Sequence, residues 1–249
     1  MREFERIDQQ HNSPYPIRRI TIEDFSYYHP VRAPLMEVNL TLQCGRVTCL
    51  IGGYKSGKST IVNLLERRYP YLKGTICIDG QDLKELDKKQ WQSQIAVIPK
   101  HPNYSYKTVV DNIAAKKCSA KEEANVIAFC QIYGFHHYIT QLKKGYKTLI
   151  GNDPSALTGA QSQLIALARA LYPCPDVLIL NESTTAMDFK MEEYVLDKLY
   201  RIKQHIIILL ITDRPKIADR SDYVYLFDDG RISEEGDPES IAEILQRLI

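Results

Sequence analysis

The residues most able to do chemistry lie together at positions 52–60, which read Gly-Gly-Tyr-Lys-Ser-Gly-Lys-Ser-Thr. This stretch matches the phosphate-loop pattern G-x-x-x-x-G-K-[ST] without a gap. In such a loop, backbone N–H groups surround phosphate oxygens, and the N-terminus of the following helix adds positive potential. Lys58 is expected to reach the β- and γ-phosphates, and Ser59 to offer its hydroxyl to a magnesium ion. The predicted site for nucleotide phosphate groups comprises Gly52, Gly53, Tyr54, Lys55, Ser56, Gly57, Lys58, Ser59 and Thr60.

The elements that must position this loop are predicted on both sides of it. Residues 47–51 form a short apolar run, which indicates a buried strand. Residues 61–68 predict a helix, because apolar side chains recur on one side of it. A glycine-rich turn that precedes a helix by chance is the alternative, and the flanking strand and helix weigh against it.

The rest of the chain predicts strands that alternate with helices. Apolar runs at 177–180 and 206–212 are typical of buried parallel strands, and a helix is predicted between them. A more polar, helical region indicates an inserted helical subdomain over about residues 101–171. This alternation predicts an α/β fold with a mostly parallel sheet, spanning 17–249 after a polar linker at 1–16. Further strands are predicted at 17–28, 35–42, 74–80, 95–99 and 224–227, and helices at 162–171, 192–203 and 238–249.

Length and composition narrow the class of protein. The 249 residues suffice for one sizeable domain, with or without a subdomain. With 32 basic and 31 acidic residues the net charge is +1, so no nucleic-acid partner is predicted. No apolar run approaches the ~18–20 residues that a membrane span needs. Six cysteines without C-x-x-C spacing favour reduced thiols over disulfides or a zinc site.

A second motif accompanies the phosphate loop. Residues 157–161 read Leu-Thr-Gly-Ala-Gln, and Glu182 follows a predicted buried strand. Together with the phosphate loop, these residues resemble the nucleotide-binding domain of ATP-binding cassette (ABC) transporters. The resemblance runs from about residue 20 to residue 245 and is greatest to the exporter branch. Within that branch, residues 34–37 and 50–53 are similar to bacteriocin-type peptide exporters.

The resemblance implies both a fold and an assembly. The fold is a P-loop NTPase cassette whose mostly parallel core sheet carries an antiparallel β subdomain and an inserted helical subdomain. In the family, two domains sandwich two ATP molecules head to tail, and each site joins one chain's phosphate loop to the other chain's signature loop. Residues 157–161 correspond to the signature Leu-Ser-Gly-Gly-Gln: Thr158 keeps the hydroxyl, and Gly159 and Gln161 match it. Ala160 adds a methyl group, which is expected to weaken contact with the partner's γ-phosphate without abolishing it.

Two other roles follow from the resemblance alone. Tyr27 stands at the position of the family's adenine-stacking aromatic residue, with Tyr28 as the alternative. Stacking of a base on an aromatic ring is worth roughly 1–3 kcal/mol at nucleic-acid sites. Packing of either ring on a strand face is the competing explanation. Asp188 matches the loop that crosses the dimer interface in the family.

Several positions depart from the family's catalytic pattern. Asn181 replaces the carboxylate that holds the magnesium shell, Lys100 replaces a glutamine, and Asp213 replaces the switch histidine. Glu182, the expected general base, is retained. Asn152 replaces an interface glutamate in a loop that relays motion to the membrane domains. Loss of one preorganised group costs about 10²–10³ in rate, so slow hydrolysis and retained ATP binding are expected at this chain's own site.

The exchange of charge at these positions suggests a specific hypothesis. Lys100 is predicted to occupy the space of a weakened or lost magnesium site at Ser59 and Asn181, and to pair with Asp213, Glu182 or a phosphate oxygen. In the alternative, Lys100 points to solvent and Asp213 caps the turn before Arg214. Both explanations remain open from the sequence.

The function predicted from these residues is that of an ATP-binding domain of an ABC exporter, with ATP and Mg²⁺ as cofactors. The expected partners are a second nucleotide-binding domain, in a heterodimer, and the transmembrane domains of the transporter. The expected location is the cytoplasmic face of the plasma (inner) membrane. The alternatives are a fully active homodimeric transport ATPase, a soluble ABC protein outside transport, and a phosphate-loop kinase, which would leave residues 157–161 unexplained.

Overall fold

Two β-sheets form the frame of the structure, a computed structural model that describes residues 16–29, 32–105, 108–150 and 156–247. The strands in these residues are β1 (Arg19–His29), β2 (Arg32–Gln43), β3 (Val47–Gly52), β4 (Lys73–Ile78), β5 (Gln81–Asp82), β6 (Ile95–Ile98), β7 (Val177–Asn181), β8 (Ile207–Thr212), β9 (Tyr223–Asp228) and β10 (Arg231–Gly236). The first sheet is antiparallel, in the order β2-β1-β4-β5. The second has the order β10-β9-β3-β8-β7-β6, and its members are parallel except for β10.

The helices connect the strands of the parallel sheet. They are α1 (Lys58–Leu65), α2 (Lys88–Gln94), α3 (Val109–Ile113), α4 (Ala120–Ile132), α5 (His136–Thr140), α6 (Gly159–Leu171), α7 (Phe189–Ile202), α8 (Pro215–Ala218) and α9 (Ala242–Arg247), with a 3₁₀ turn at Gly145–Lys147. Helices α3 to α6 lie within the region predicted as a helical subdomain. The predicted α/β fold, with a mostly parallel core sheet and an antiparallel β portion, is confirmed.

Apolar cores on both faces of the parallel sheet hold these elements together. Because successive side chains of a strand point to opposite faces, Cys49 and Ile51 pack with α3 to α7, whereas Leu50 packs with α1 and the antiparallel sheet. Strands β3 and β8 are buried along their whole length, as expected for parallel strands covered on both faces. The apolar runs seen in the sequence are therefore the central strands.

Helix α1 differs in its bounds from the prediction of 61–68. It begins at Lys58, because Gly57 serves as its N-cap. It ends at Leu65, because Arg67 has a φ of +53° and cannot continue the helix. The N–H of Arg68 donates to the carbonyl oxygen of Asn63 at 2.8 Å, which closes the C-terminus.

Other elements also differ from the sequence predictions. Strand β10 was missed because its exposed, charged sequence has no apolar alternation, which is typical of a protected sheet edge. Helices α6 and α7 start three residues earlier than predicted, because Thr158 and Asp188 cap them. Helix α9 begins at Ala242, four residues later than the predicted start at 238. Most of the predicted linker at 1–16 lies outside the described residues.

The structure also bears on two expectations from composition, the state of the cysteines and the presence of a membrane-spanning helix. All six cysteines are free thiols in the structure. None of the described helices combines the length and the apolar character needed to cross a bilayer.

Candidate nucleotide-binding site

The phosphate loop joins β3 to α1 at the carboxyl edge of the parallel sheet. Gly52 ends β3 so close to β9 that a Cβ there would lie 2.2 Å from the carbonyl oxygen of Phe227. A larger residue would therefore have to displace backbone. The N–H of Gly230 donates to the carbonyl oxygen of Ser56 at 3.1 Å, so the turn after β9 contacts the phosphate loop directly. The loop geometry thus depends on contacts with β9 and the turn that follows it.

Lys58 is folded into the loop that precedes it. Its Nζ donates to the carbonyl oxygens of Gly52 (2.7 Å) and Gly53 (2.8 Å) and to Oγ of Ser56 (3.0 Å). The residue is only 4% exposed, and burial lowers the pKa of its ammonium, while the charge of Glu182 opposes that shift. All three donors of the ammonium are used by the loop. A phosphate oxygen that bound at this position would replace these neutral carbonyl oxygens as the acceptor of the Lys58 ammonium.

Four charged residues meet at the carboxyl edge of four adjacent strands. Lys58 follows β3, Lys100 follows β6, Glu182 follows β7 and Asp213 follows β8. The charges of both carboxylates oppose the lowering of the Lys58 pKa by burial and raise the pKa of Lys100, so each lysine interacts with both carboxylates. The topology therefore brings together residues that are as much as 155 positions apart in the chain. Ligands of open α/β sheets bind at this edge.

Lys100 and Glu182 form an ion pair within this cluster. Lys100 Nζ donates to Oε2 of Glu182 at 2.9 Å, and the two side chains are 46% and 24% exposed. The hydrogen bond and the charge of Glu182 raise the pKa of Lys100. Of the partners that the sequence left open for Lys100, the structure shows Glu182. The side chain of Lys100 is exposed as in the alternative, but its ammonium has an anionic partner, and its occupation of a magnesium position remains a prediction.

Asp213 lies exposed beside the cluster, and it does not cap the turn that follows β8. The N–H of Arg214 instead donates to Oγ1 of Thr212 at 3.0 Å. The expected capping role of Asp213 is therefore wrong, because the preceding threonine already satisfies that donor. The carboxylate of Asp213 interacts electrostatically with Lys58 and Lys100.

Glu182 is held at the end of β7 in an unusual backbone conformation. Its φ is +52°, in the left-handed region that non-glycine residues rarely adopt. Its N–H donates to the carbonyl oxygen of Ile211 at 2.9 Å, and its own carbonyl accepts from Oγ1 of Thr185 at 3.0 Å. A conformation of this kind costs about 1–3 kcal/mol and persists only where its surroundings enforce it. Such strain is concentrated at functional sites.

The donors at the predicted magnesium position fit a divalent cation poorly. Ser59 offers an exposed hydroxyl and Asn181 a half-buried neutral amide. Magnesium is bound through carboxylates and phosphates, and the adjacent carboxylate of Glu182 is neutralised by Lys100. The described residues contain no cluster of three or more His, Cys, Asp or Glu side chains able to hold a metal ion.

The signature-like residues begin helix α6. Oγ1 of Thr158 accepts from the N–H of Gln161 at 3.2 Å, and Oε1 of Gln161 accepts from the N–H of Thr158 at 2.9 Å. This reciprocal pair is a capping box. Gly159 is exposed and lies against Ala186, where a Cβ would come within 2.8 Å of the alanine Cβ. Across the described residues, no hydrogen bond links this segment to the phosphate loop of the same chain.

Helix α6 also fixes the segment that carries Lys100. The buried Nε2 of Gln163 donates to the carbonyl oxygens of Lys100 (2.6 Å) and Pro99 (3.4 Å). Arg169 Nη1 donates to the carbonyl oxygen of Asn103 at 2.7 Å, and the hydroxyl of Tyr104 bonds to Ser162. Sequence reasoning missed Gln163; a polar residue within an otherwise apolar helix face was the available signal.

A second missed contact joins the start of α7 to the segment after β8. Glu192 is 5% exposed and accepts from both terminal nitrogens of Arg214, at 2.5 and 2.9 Å. The pair connects the loop that ends at Asp188 with the segment that carries Asp213. The two residues lie 22 positions apart, and no local spacing predicts their contact.

Three further predicted residues, Tyr27, Tyr28 and Asp188, lie within the described part of the chain. Tyr27 is half-buried, and its ring is nearly parallel to that of Tyr69, with centroids 6.0 Å apart, whereas Tyr28 is 78% exposed. Asp188 accepts from the N–H of Met191 at 2.8 Å and so caps α7. Asn152 lies outside the described residues.

The fold and the site define a phosphate-loop nucleotide-binding domain of the ABC cassette class. The family model for ABC transporters matches residues 35–185, more than half of the chain. The chain therefore belongs to the ABC transporter family, as the sequence predicted. The narrower resemblance to bacteriocin-type exporters remains a prediction.

Similar proteins include named exporters and translocation proteins. The chain is 30% identical over 238 residues to the alpha-hemolysin translocation ATP-binding protein HlyB of Proteus vulgaris, covering 92% of this chain and 34% of that protein. It is 34% identical over 229 residues to the ATP-dependent lipid A-core flippase of Aromatoleum aromaticum, covering 91% and 38%.

A solved structure gives the same result for the fold. A bacterial Atm1-family ABC exporter with ATP bound superposes with a TM-score of 0.83 at 25% identity, covering 93% of this chain and 41% of that chain. The chain thus spans about a third to two fifths of the length of these proteins.

Proposed function

We propose that this chain is the ATP-binding domain of an ABC exporter, and that it uses ATP binding and hydrolysis to drive transport. The observation that carries the proposal is the position of Lys58, which lies in the phosphate loop at the carboxyl edge of a parallel sheet. Backbone N–H groups and the start of α1 provide the remaining phosphate contacts. In this proposal the half-buried aromatic ring of Tyr27 stacks on the base of the nucleotide.

The signature-like residues act on a second nucleotide-binding domain in this proposal. Helix α6 has 13 residues, and its N-terminus exposes Thr158 and Gly159. A helix N-terminus of this kind attracts phosphate groups. Since no described hydrogen bond joins it to the chain's own phosphate loop, a head-to-tail dimer would use it to complete the partner's site. The partner is a different chain, because this site lacks much of the catalytic set.

Hydrolysis at the chain's own site is proposed to be slow. A general base must have a free carboxylate oxygen within reach of the attacking water. Oε2 of Glu182 accepts from Lys100, so one of its two carboxylate oxygens is engaged, and Asn181 brings no charge. The carboxylate of Asp213 repels a γ-phosphate rather than donating to it. Together these features favour binding of ATP with slow hydrolysis.

The names and lengths of the relatives support a proposal for the location of the domain. Their names describe a translocation ATP-binding protein, a flippase and an exporter, and each is two to three times as long as this chain. We propose that the domain couples to transmembrane domains at the cytoplasmic face of the plasma (inner) membrane. The transported substrate would be contacted by those membrane domains.

The proposal is tested by calorimetric titration with ATP and by phosphate release from the same preparation. ATP should bind, Lys58→Ala should weaken binding at least about tenfold, and turnover by the chain alone should be slow. Mixing with the partner domain should raise ATPase activity well above the sum, and Glu182→Gln should change it little. Rapid turnover by the chain alone, abolished by Glu182→Gln, would instead show a fully active homodimer. Absence of ATP binding would overturn the proposal.

A further inference from the structure

We infer that the ammonium of Lys100 does at this site what a magnesium ion does at an ordinary phosphate-loop site, so that ATP binds here without a divalent cation. The inference rests on the proposed ATP binding and concerns the cation that accompanies it. It assigns a specificity-determining role to Lys100, which contacts Glu182 in the structure.

The first argument comes from the balance of charge. Lys58 and Lys100 supply two positive charges and Glu182 and Asp213 two negative charges at the ends of four adjacent strands, and each lysine interacts with both carboxylates. A divalent cation that approached Glu182 would meet the ammonium of Lys100, and the exposed carboxylate of Asp213 is the other anion of the cluster. The repulsion is greatest at Glu182, whose Oε2 already accepts from Lys100 at 2.9 Å.

The second argument comes from how Lys100 is held. Its backbone carbonyl is fixed by the buried amide of Gln163 at 2.6 Å, and β6 is paired in register with β7 through Ile98 and Leu180. The base of the side chain is therefore fixed beside Glu182, at the edge where nucleotide phosphates would lie. A tethered cation needs no recruitment from solution.

The third argument concerns the head of the side chain. The Lys100 side chain is 46% exposed, so its ammonium retains solvent and room to move. An anionic phosphate oxygen is an acceptor of the same kind as the carboxylate oxygen of Glu182. The ammonium can exchange one for the other, or bridge the two, through its three donors. Lys58 undergoes the corresponding exchange from neutral carbonyl acceptors.

The experiment measures the dissociation constant of ATP by calorimetry with magnesium and again with excess EDTA. For the unaltered chain, chelation should change the dissociation constant by less than about threefold, because the ammonium remains in place. Lys100→Gln restores a neutral side chain, and chelation should weaken its ATP binding at least about tenfold. Lys89→Gln, an exposed lysine of α2, is the matched control and should behave like the unaltered chain.

The outcomes separate this inference from the proposed function. ATP binding that falls at least about tenfold on chelation in the unaltered chain would overturn the role of Lys100 while leaving the proposed function intact. Equal insensitivity of Lys100→Gln to chelation would overturn it as well. Failure to bind ATP in either buffer would overturn the proposed function itself. Thermal unfolding of each variant checks that the half-exposed substitution leaves the fold intact.

Discussion

The buried ion pair between Glu192 and Arg214 allows a prediction whose size can be worked from the structure. Glu192 has a side chain only 6% exposed, and it accepts from both terminal nitrogens of Arg214. The change Arg214→Gln removes the charged fork and leaves a carboxylate in the interior without its partner. The affected carboxylate lies in the first turn of α7, directly after the loop that ends at Asp188.

Removal of one partner of a fully buried pair costs about 3–5 kcal/mol. The side chain of Arg214 is 38% exposed, so solvent already weakens this pair, and we expect a loss of about 2 kcal/mol in the free energy of unfolding. For a chain of this length, that corresponds to a Tm lower by about 4–8 °C. Adding Glu192→Gln removes the orphaned charge and should recover at least about 1 kcal/mol.

The assay is urea unfolding of the single and double variants, analysed at a constant denaturant slope, with thermal unfolding alongside. The matched control is Arg231→Gln, because Arg231 pairs with Glu37 at 3.3 Å with both side chains more than half exposed. That control should lose less than about 0.5 kcal/mol. An Arg214→Gln variant no less stable than the control, or a double variant less stable than the single one, would refute the reasoning.

Three further predictions concern the phosphate loop, the signature-like residues and the buried thiols. Gly52→Ala places a Cβ 2.2 Å from the carbonyl oxygen of Phe227, so the phosphate loop must shift. ATP affinity, measured by calorimetry, should weaken at least about tenfold. An unchanged affinity would contradict the close approach of β3 and β9. Thr158→Ala removes a helix cap and should lower the unfolding free energy by about 1 kcal/mol while ATP affinity at the chain's own site stays the same, as urea unfolding and titration would show. Burial raises the pKa of Cys49 and of Cys130 from 9.0 to about 12, so unfolded thiols ionise first. Stability should be unaffected by these groups below pH 9 and should fall as the pH rises towards 12, and Cys49→Ala should reduce that fall; an identical pH dependence in the variant would count against it.

Several features of the site were predictable because their causes are local. The phosphate loop needs consecutive residues of particular types between a strand and a helix, and all of them lie within positions 52–60. The capping box at Thr158 and Gln161 follows from a spacing of three residues. Exposed, charged β10 shows the limit of such signals, since no apolar alternation marks it as a strand.

The contacts that distinguish this site could not be obtained in the same way. Lys100 and Glu182 are 82 positions apart, and they meet because β6 and β7 are neighbours in the sheet. The sequence left open whether Lys100 would pair with one of three acceptors or point to solvent. The hydrogen bond from the side-chain amide of Gln163 to the carbonyl oxygen of Lys100 also joins two distant elements, so it could not be predicted from local spacing either.

By itself, the sequence determined the phosphate loop, the apolar strands around it and the family to which the chain belongs, because short-range spacing and side-chain type suffice for each. Only the tertiary structure decided which charges face each other, because no local sequence pattern predicts the crossover connections that set the strand order β3-β8-β7-β6. That order places Glu182 beside Lys100. The physical reason is that side chains from distant positions become neighbours only when the sheet has formed.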